Sequence, residues 1–181
     1  LGVKNNGNNY TSFFNYSIAS RAPNPSELFS EGLHHSSARI ELGDLRFKSE
    51  VGHKFSYTFQ RNEETFTVSI NPYYNIITDF MILEPTSIQT SIRGSYQVWE
   101  YRQTNANLFG LDIDATIALS KKLSFNHKSS IVKGYDRILK IPLINMPPVN
   151  TQNEIIYENK NFKNLKIEFT SNYVFQQNEY P

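Results

Sequence analysis

The sequence contains no cysteine, few charged residues and no long apolar run. Without cysteine, a disulfide framework and any thiolate metal or redox site are excluded. Lys and Arg number 18 against 17 Asp and Glu, and this near balance gives no support for a nucleic-acid partner. Mean hydropathy is −0.49, and no stretch approaches the roughly 18 apolar residues of a membrane-spanning helix. A strand of a transmembrane barrel is only half apolar, so these values do not exclude a membrane protein.

Aromatic residues are abundant, at 14% of a chain in which only 19% of residues are charged. A disordered chain would be poor in aromatic residues, and a chain of long helices would be rich in Ala, Glu, Lys and Leu. The length of 181 residues suits one ordinary domain. The composition therefore favours a folded, β-rich chain.

Apolar and polar residues alternate with period two, which is typical of strands that separate two environments. In residues 50–60 the apolar side carries Val51, His53, Phe55, Tyr57 and Phe59. The same alternation, looser in some segments, runs through residues 10–20, 65–82, 109–119, 123–131, 149–158 and 165–175. The sequence thus predicts seven strands and no helix. In the segment 65–82 we expect one parity to continue through Phe80 and Ile82, with Pro72 in a bulge.

The alternation also predicts which side chains share a face. We expect one face to carry Phe55, Tyr57, Phe66, Val68, Leu111, Ile113, Ile167 and Phe169. We expect the other to carry Lys54, Ser56, Thr67, Ser69, Asp112, Thr116 and Glu168.

The gaps between the predicted strands alternate in length. Residues 21–49, 83–98 and 136–148 form long gaps, whereas 61–64, 120–122 and 159–164 form short ones. Consecutive antiparallel strands place alternate connections at opposite ends, so one end should carry every long loop. This asymmetry is typical of outer-membrane barrels, whereas a soluble sandwich has turns every 8–12 residues without it. The prediction is an all-β, antiparallel, up-and-down transmembrane barrel, represented by about seven strands of a larger one.

Several strings resemble the barrel of TonB-dependent outer-membrane receptors. Residues 21–29 read Arg-Ala-Pro-Asn-Pro-Ser-Glu-Leu-Phe, similar to the family's R-A-P-x-x-x-E-L-F string. Residues 43–50 read Gly-Asp-Leu-Arg-Phe-Lys-Ser-Glu, in the place of G-N-P-x-L-K-P-E but without its prolines. Residues 79–86 and 105–112 resemble the next rising and descending strands, with Asp112 for the usual Glu, and Ile141-Pro142 and Pro147-Pro148 resemble a proline-marked strand entrance. The resemblance covers the chain in order.

The resemblance implies active import of a scarce nutrient such as an iron chelate, haem or a metal ion, without catalysis and without a cofactor. The family's barrel has about 22 strands around a plug domain. The implied location is the bacterial outer membrane, and the implied partners are outer-membrane lipid, the plug, the TonB complex and the transported ligand. We expect residues 1–181 to be part of such a barrel, with the plug domain and the remaining strands lying outside this chain.

Two other readings stay open. A passive porin or adhesin-type barrel would have a similar wall without a plug. A soluble β-rich carbohydrate-binding module would have alternating strands but should be soluble alone, whereas a slice of a barrel has two unpaired edge strands and should aggregate.

The only histidine pair, His34-His35, follows Glu31 in the longest gap. Imidazole suits zinc, copper and haem iron, and the resemblance includes zinc- and haem-linked members with a Gly-x-His string at this place. Glu31, His34 and His35 are therefore candidates for contact with a metal-bearing substrate. Adjacent residues of a strand point apart, so a bound ion would need a further ligand, and a polar loop that binds nothing is the alternative.

Asp112 and Asp114 lie two residues apart and so share one face of a strand. They could be paired carboxylates, but nothing positions a sugar between them, and we expect them to line the lumen. No Gly-x-Ser-x-Gly elbow and no Gly-rich phosphate loop occurs, so we predict no catalytic residues and no metal site. His53 and His127 fall on the apolar parity, as residues at the membrane interface rather than ligands.

Overall fold

The computed structural model describes residues 1–92 and 94–178, and shows one large sheet. Its strands are β1 (Gly2–Asn6), β2 (Tyr10–Arg21), β3 (Glu31–His34), β4 (Arg39–Leu42), β5 (Glu50–Asn62), β6 (Phe66–Ser91), β7 (Gly94–Ser120), β8 (Leu123–Asp136), β9 (Ile141–Pro142), β10 (Asn150–Asn159) and β11 (Leu165–Val174). The prediction of no helix is wrong at one place, because a short helix, α1, spans Pro25–Phe29. No helix in the described residues is long and apolar enough to cross a membrane.

Eight of the strands form a wall in the order β1-β2-β5-β6-β7-β8-β10-β11, each antiparallel to its neighbours. The predicted all-β antiparallel fold is confirmed, and the sheet is open, as part of a larger barrel would be. The wall has one strand more than predicted because Gly2–Asn6, which lacks apolar alternation, pairs with β2. Residues 179–181 of the expected barrel segment lie outside the described part of the chain.

The pairing register confirms the predicted facing. Phe55 pairs with Tyr74, and Tyr74 with Phe109, so the apolar positions of β5, β6 and β7 lie side by side. Another row on the same face runs from Ile117 of β7 through Phe125 and Ile155 to Phe169 of β11. All eight predicted apolar residues fall on this apolar face of the wall, and the predicted polar residues fall on its polar face.

The tight turns lie at one end of the wall, at residues 63–65, 121–122 and 160–164, as predicted. The connections 22–49 and 137–149 lie at the opposite end, the loop end. The segment 83–98 also lies at the loop end, as predicted, but it is a hairpin rather than an irregular loop, because β6 and β7 pair as far as Ser91 and Gly94. This stretch contains Thr86, Ile88, Thr90, Tyr96 and Val98, residue types that favour strands, but it lacks the alternation of a membrane wall. Residue 93 of that predicted loop lies outside the described residues.

The ends of β6 and β7 form a hairpin that projects beyond the wall. The pairing of β6 with β5 stops at Thr78, and that of β7 with β8 stops at Ala106. About a dozen residues of each strand extend past these points, a reach of about 40 Å. We call residues 80–91 and 94–105 the projecting hairpin.

A bulge at Thr78 and Asp79 changes which side chains face which way. The register shifts by one residue between Ile77 and Phe80, and Asp79 has a φ of 55°. Phe80 therefore pairs with Thr104 on the polar face, and Ile82 pairs with Arg102 there. The expectation that Phe80 and Ile82 continue the apolar parity is wrong, because the extra residue inverts the alternation.

Pro72 does not lie in a bulge, contrary to prediction. Its pairing with Leu111 is in register, and the pairs Ser56–Tyr73 and Phe59–Ile70 on its other side keep one register. The ladder to β5 is interrupted opposite Pro72 without a shift, since proline has no N–H to donate.

A small apolar core forms at the loop end of the polar face. Ile82, Ala106 and Leu143 are its buried members, and Phe80, Leu108, Ile144 and Met146 pack against them. The loop 137–149 supplies Leu143 and Met146 by folding over β8 at Gly134. A Cβ at Gly134 would stand 2.6 Å from Met146 Sδ and 2.8 Å from Leu143 Cδ1, so the absent side chain makes room for this loop.

Candidate functional site

The polar face of the wall is a continuous surface of hydrogen-bonding side chains. Ser130 donates to Asp112 Oδ1 at 2.7 Å, and Lys128 Nζ lies 3.7 Å from Asp114 Oδ2. Asp112 and Asp114 both border an open recess of about 520 Å³, and both are exposed to solvent. The structure places them on one face, as their spacing predicts. That this face lines a lumen stays a prediction.

This arrangement is that of a polar wall rather than of a catalytic pair. Each aspartate has its own partner on β8, and the two side chains come from successive positions of one strand. Further along the face, Asn126 accepts a hydrogen bond from Thr116 at 2.9 Å and donates one to Glu154 at 2.7 Å. The surface offers donors and acceptors to a polar partner along its whole length.

At the loop end, Arg21 ties α1 to the wall. Its Nη1 and Nη2 each donate to Glu27 at 3.0 Å, and its Nε donates to Glu50. These hydrogen bonds, that to Glu27 first, raise the pKa of Arg21. Asn24 begins α1 with a capping box, in which its side chain accepts from Glu27 N–H and Glu27 accepts from Asn24 N–H. The start of loop 22–49 is therefore rigid.

A second ionic cluster lies where β8 ends, past the roughly 9–11 residues that a tilted strand needs to cross hydrocarbon. Arg102 donates to Glu84 and, at 2.7 Å, to Asp136 Oδ2. Thr104 donates to Asp136 Oδ1 at 2.8 Å, as does Ile138 N–H. Burial alone would raise the pKa of Asp136, but these donors and Leu139 N–H outweigh it and hold that pKa below its ordinary value.

Between the two clusters, the hairpin of β3 and β4 lies against the projecting hairpin. Residues 31–42 are called the strap here. β4 runs parallel to β7, with Arg39 opposite Gln97 and Leu42 opposite Glu100. β2 and β5 lie on one side of β6, whereas β4 pairs with the far edge of β7, so loop 22–49 crosses both strands of the projecting hairpin.

Side chains fasten the strap at one point. Arg39 Cζ lies 4.8 Å from the ring centroid of Trp99, and Arg39 Nε donates to Glu41 Oε1 at 2.7 Å. Glu41 is only 6% exposed and Val98 5%. The strap thus buries a carboxylate and an apolar side chain at the edge of β7.

The structure does not bring Glu31, His34 and His35 together as one set of ligands. Glu31 pairs with Leu42 and His34 with Arg39, at opposite ends of β3 and on opposite faces of the strap. His34 Nδ1 lies 3.0 Å from Ser37 Oγ and 3.1 Å from Ser36 Oγ, and His35 is exposed in the turn. Among the described residues, no group of three His, Cys, Asp or Glu side chains could hold a metal ion. Contact of these residues with a substrate stays a prediction.

The other two histidines lie on the apolar face, as predicted, and each has a polar neighbour. His53 Nδ1 is 2.8 Å from Tyr16 Oη, and His127 Nδ1 is 2.8 Å from Asn153 Oδ1. Each of these histidines therefore contacts a polar side chain of the adjacent strand within the wall.

The two ionic clusters were not predicted as functional elements. Arg21 and Glu27 of the first cluster fall within the R-A-P-x-x-x-E-L-F string, and this string was the one sequence feature that could have indicated the cluster. Arg102 and Asp136 are 34 residues apart, and no local pattern of the sequence connects them.

No family model matches this sequence, and no curated protein matches it. Solved structures do match. The copper transporter OprC aligns with a TM-score of 0.72 at 18% identity, over 87% of this chain and 24% of its own. The siderophore receptor PirA from Pseudomonas aeruginosa aligns with a TM-score of 0.66 at 12% identity, over 93% and 31%. The FrpB iron transporter from Neisseria meningitidis aligns with a TM-score of 0.62 at 17% identity, over 96% and 26%.

At these identities the likeness concerns the fold. The chain spans about a quarter to a third of the length of each of these structures, all of which are TonB-dependent receptors. The match extends over nearly all of the present chain and agrees with its open antiparallel wall and its single loop end. The chain has the fold of part of the barrel wall of TonB-dependent receptors.

Proposed function

We propose that this chain is part of an outer-membrane, TonB-dependent receptor that imports a scarce, metal-bearing nutrient such as an iron chelate, haem or a metal ion. The observation that carries the proposal is a single sheet with two different faces. Its apolar face leaves Phe169 67% exposed, Ile18 58% exposed and Ile167 54% exposed. Lipid is the environment that such a face requires.

The apolar face argues against a soluble carbohydrate-binding module. A soluble sandwich buries its apolar face against a second sheet, whereas no second sheet packs on this face in the described part of the chain. Six hydrophobic residues are buried among the described ones, and three of them form the small core at the loop end. Burial within this chain alone would therefore be a weak source of stability.

The loop end favours a receptor over a passive porin. The two ionic clusters and the strap hold the connections in defined positions, which suits selective capture. The solved structures of similar fold are named as transporters or receptors of copper, siderophores and iron. The proposed role is transport without catalysis, and the proposed partners are outer-membrane lipid, a plug domain, the TonB complex and the ligand.

Two sets of residues take part in the proposed function. Asp112 and Asp114 would line the lumen against the plug. Glu31, His34 and His35 would meet the metal-bearing ligand at the tip of the strap, one or two side chains at a time, since Glu31 and His34 face apart. An unprotonated imidazole binds metal, so capture through the histidines would weaken in acid.

Uptake by whole cells tests the proposal. The full receptor is expressed in a strain that lacks its own metal receptors, and uptake of copper(II), zinc(II), haem and a ferric siderophore is measured with and without a functional TonB complex. We expect uptake of at least one probe, and its loss without TonB. Uptake that persists without TonB would identify a passive porin, and uptake of none of the probes would contradict a metal-bearing nutrient.

The histidines are tested in the same cells by His34→Ala/His35→Ala. We expect uptake of the transported probe to fall, and to fall less at pH 5.5 than at pH 7.5. His53→Ala is the matched control, since this histidine lies on the apolar face and bonds to Tyr16. Equal uptake by the double variant and the control would leave the strap tip without a role in capture.

A further inference from the structure

The strap is attached to the projecting hairpin by a short parallel pairing. Its four residue pairs from Arg39 to Leu42 are parallel, whereas the wall strands are all antiparallel, and parallel pairing is slightly less stable per residue. Among the described side chains, Arg39 stacked on Trp99 holds the strap to the projecting hairpin. Both ends of the loop are by contrast firmly anchored, by the Arg21–Glu27 ion pair and by the hydrogen bond that Gln103 Nε2 donates to the carbonyl oxygen of Lys48 at 2.6 Å.

Docking of the strap also has an opposing cost. Glu41 becomes a nearly buried carboxylate, and its one hydrogen bond within the described residues comes from Arg39. A buried charge is tolerated only while it is paired. Release of the strap would return Glu41 to water, so the docked state is a balance between the Arg39 contacts and the desolvation of Glu41.

Within the strap, one glycine of β3 permits movement. Gly32 has a φ of 128° with open space around its missing side chain. Gly43, which follows β4 at the base of the strap, is fixed, because a Cβ there would stand 2.7 Å from the carbonyl oxygen of Glu27. The strap therefore has a rigid base at Gly43 and α1 and a free tip at the turn beyond His34.

We propose that the strap is a detachable gate. In the docked state it converts the projecting hairpin, a two-stranded ribbon of marginal stability alone, into a four-stranded sheet. In the released state Val98 and the edge of β7 are exposed while the wall stays folded. Release during import rests on the proposed function, but release itself is testable without any transported ligand.

Labelling of introduced cysteines measures release in whole cells that carry the full receptor. This chain contains no cysteine of its own, and the receptor without an introduced cysteine sets the background. Val98→Cys reports the strap. Ser95→Cys, exposed on the same strand, gives the unprotected rate, and Ala106→Cys, fully buried lower on β7, gives the protected rate. The probe is a membrane-impermeant maleimide.

We expect Val98→Cys to react more slowly than Ser95→Cys but faster than Ala106→Cys. Arg39→Ala should raise the Val98→Cys rate about fivefold or more, because it removes the stack and leaves Glu41 unpaired. Arg39→Lys, which keeps the charge but not the planar stack, should raise it less. The rates of Ser95→Cys and Ala106→Cys should not change.

Three results would overturn the proposal. If Val98→Cys stays as unreactive as Ala106→Cys in both backgrounds, the strap is permanent. If it reacts as fast as Ser95→Cys in both, the strap is not docked. If Arg39→Ala accelerates Ala106→Cys equally, the change unfolds the wall rather than releasing the strap.

A cross-link tests whether import needs release. Ile40 and Val98 are direct partners, so Ile40→Cys/Val98→Cys should form a disulfide across the seam. Thr90→Cys/Ser95→Cys, a direct pair within the projecting hairpin, is the matched control. With copper(II), zinc(II), haem and the ferric siderophore as probes, oxidation should stop uptake in the first variant alone, and reductant should restore it.

Unchanged uptake by the oxidised first variant would show that import does not need release. If no probe enters even the reduced cells, the proposed function fails, and the labelling rates still decide whether the strap detaches.

Discussion

Asp136 is the residue on which the loop end of β8 depends. It is fully buried, and it accepts hydrogen bonds from Arg102, Thr104 and the backbone of the following loop. One carboxylate thus joins β7, β8 and loop 137–149. Leu143 of that loop completes the small core with Ile82 and Ala106, so loss of the carboxylate should loosen this core as well.

Asp136→Asn should lower the free energy of unfolding of the full receptor by about 2–3 kcal/mol, because it breaks a buried charge pair. The folded state lowers the pKa of Asp136, so its contribution is complete above the unfolded pKa of about 3.9 and disappears as pH falls through the lower folded value. The penalty of the substitution should therefore be the same at pH 7.5 and 5.5 and shrink below pH 4. Guanidinium titration in lipid vesicles measures it.

Asp112→Asn is the control for this prediction. Asp112 is exposed, and asparagine can still accept the hydrogen bond from Ser130, so we expect a change within about 0.5 kcal/mol. Equal losses from the two substitutions would mean that the Asp136 cluster has no special part in stability.

At the scale of the strand, adjacent residues lie on opposite faces of the wall and should respond differently to an introduced charge. Ile70 pairs with Ile113 on the apolar face, and Ser69 pairs with Asp114 on the polar face. In the full receptor, Ile70→Arg should cost about 2–4 kcal/mol near the middle of the bilayer. Ser69→Arg should cost less than about 1 kcal/mol, because its charge would lie beside Asp114. The same vesicle titration compares them, and similar costs would contradict a lipid-facing wall.

Period-two alternation was sufficient to predict most wall strands. The predicted segments 10–20 and 50–60 differ from β2 and β5 by two residues at most, and 149–158 and 165–175 differ from β10 and β11 by one at each end at most. In these strands each face has one environment along its whole length. A constant environment on each face produces the alternation of apolar and polar residues, so the pattern predicts these strands directly.

The same pattern was insufficient where both faces of a strand meet water or where the register shifts. The projecting hairpin has Thr, Ser and Gln on both faces, so its sequence resembles a loop. The bulge at Thr78 and Asp79 left Phe80 and Ile82 apolar but moved them to the polar face, where the small core receives them. The alternation showed no break there, because the residues on either side of the bulge are apolar too.

The candidate site was predictable in part, for the same reason. The shared face of Asp112 and Asp114 follows from their spacing alone. The separation of Glu31 from His34 follows from the pairing of β3 with β4, and the strap follows from a parallel pairing between segments about 60 residues apart. Nothing local in the sequence encodes a contact of that range.

The molecule as a whole has two unlike ends, and this predicts what an antibody can reach. An epitope tag inserted after Ser36, in the turn of the strap, should be bound on intact cells that express the full receptor. A tag inserted after Asn161, in the turn between β10 and β11, should be bound only after the outer membrane is permeabilised. Flow cytometry measures both. Exposure of the Asn161 tag on intact cells would contradict an orientation in which the loop end faces outward and the tight turns face the periplasm.

The apolar face also fixes the inclination of the strands. In β2 the centre of the apolar residues, Tyr16, shares a row with Phe109 of β7. In β10 the corresponding Ile155 shares a row with Ile117. From β2 to β10, which are five strand spacings apart, the centre of the apolar segment therefore moves about eight residues along the strands. If the apolar layer is flat, this corresponds to strands tilted by about 45° from the layer normal.

Because the strands are tilted, residues of the polar face that lie at the same depth in the membrane also shift along the strands from one strand to the next. Ser56, Asn71, Asp114 and Glu154 then lie at one depth, although each belongs to a different hydrogen-bonded row. A ligand or plug that moves along the membrane normal past this wall would meet these four side chains at the same time. It would meet the side chains of one hydrogen-bonded row one after another.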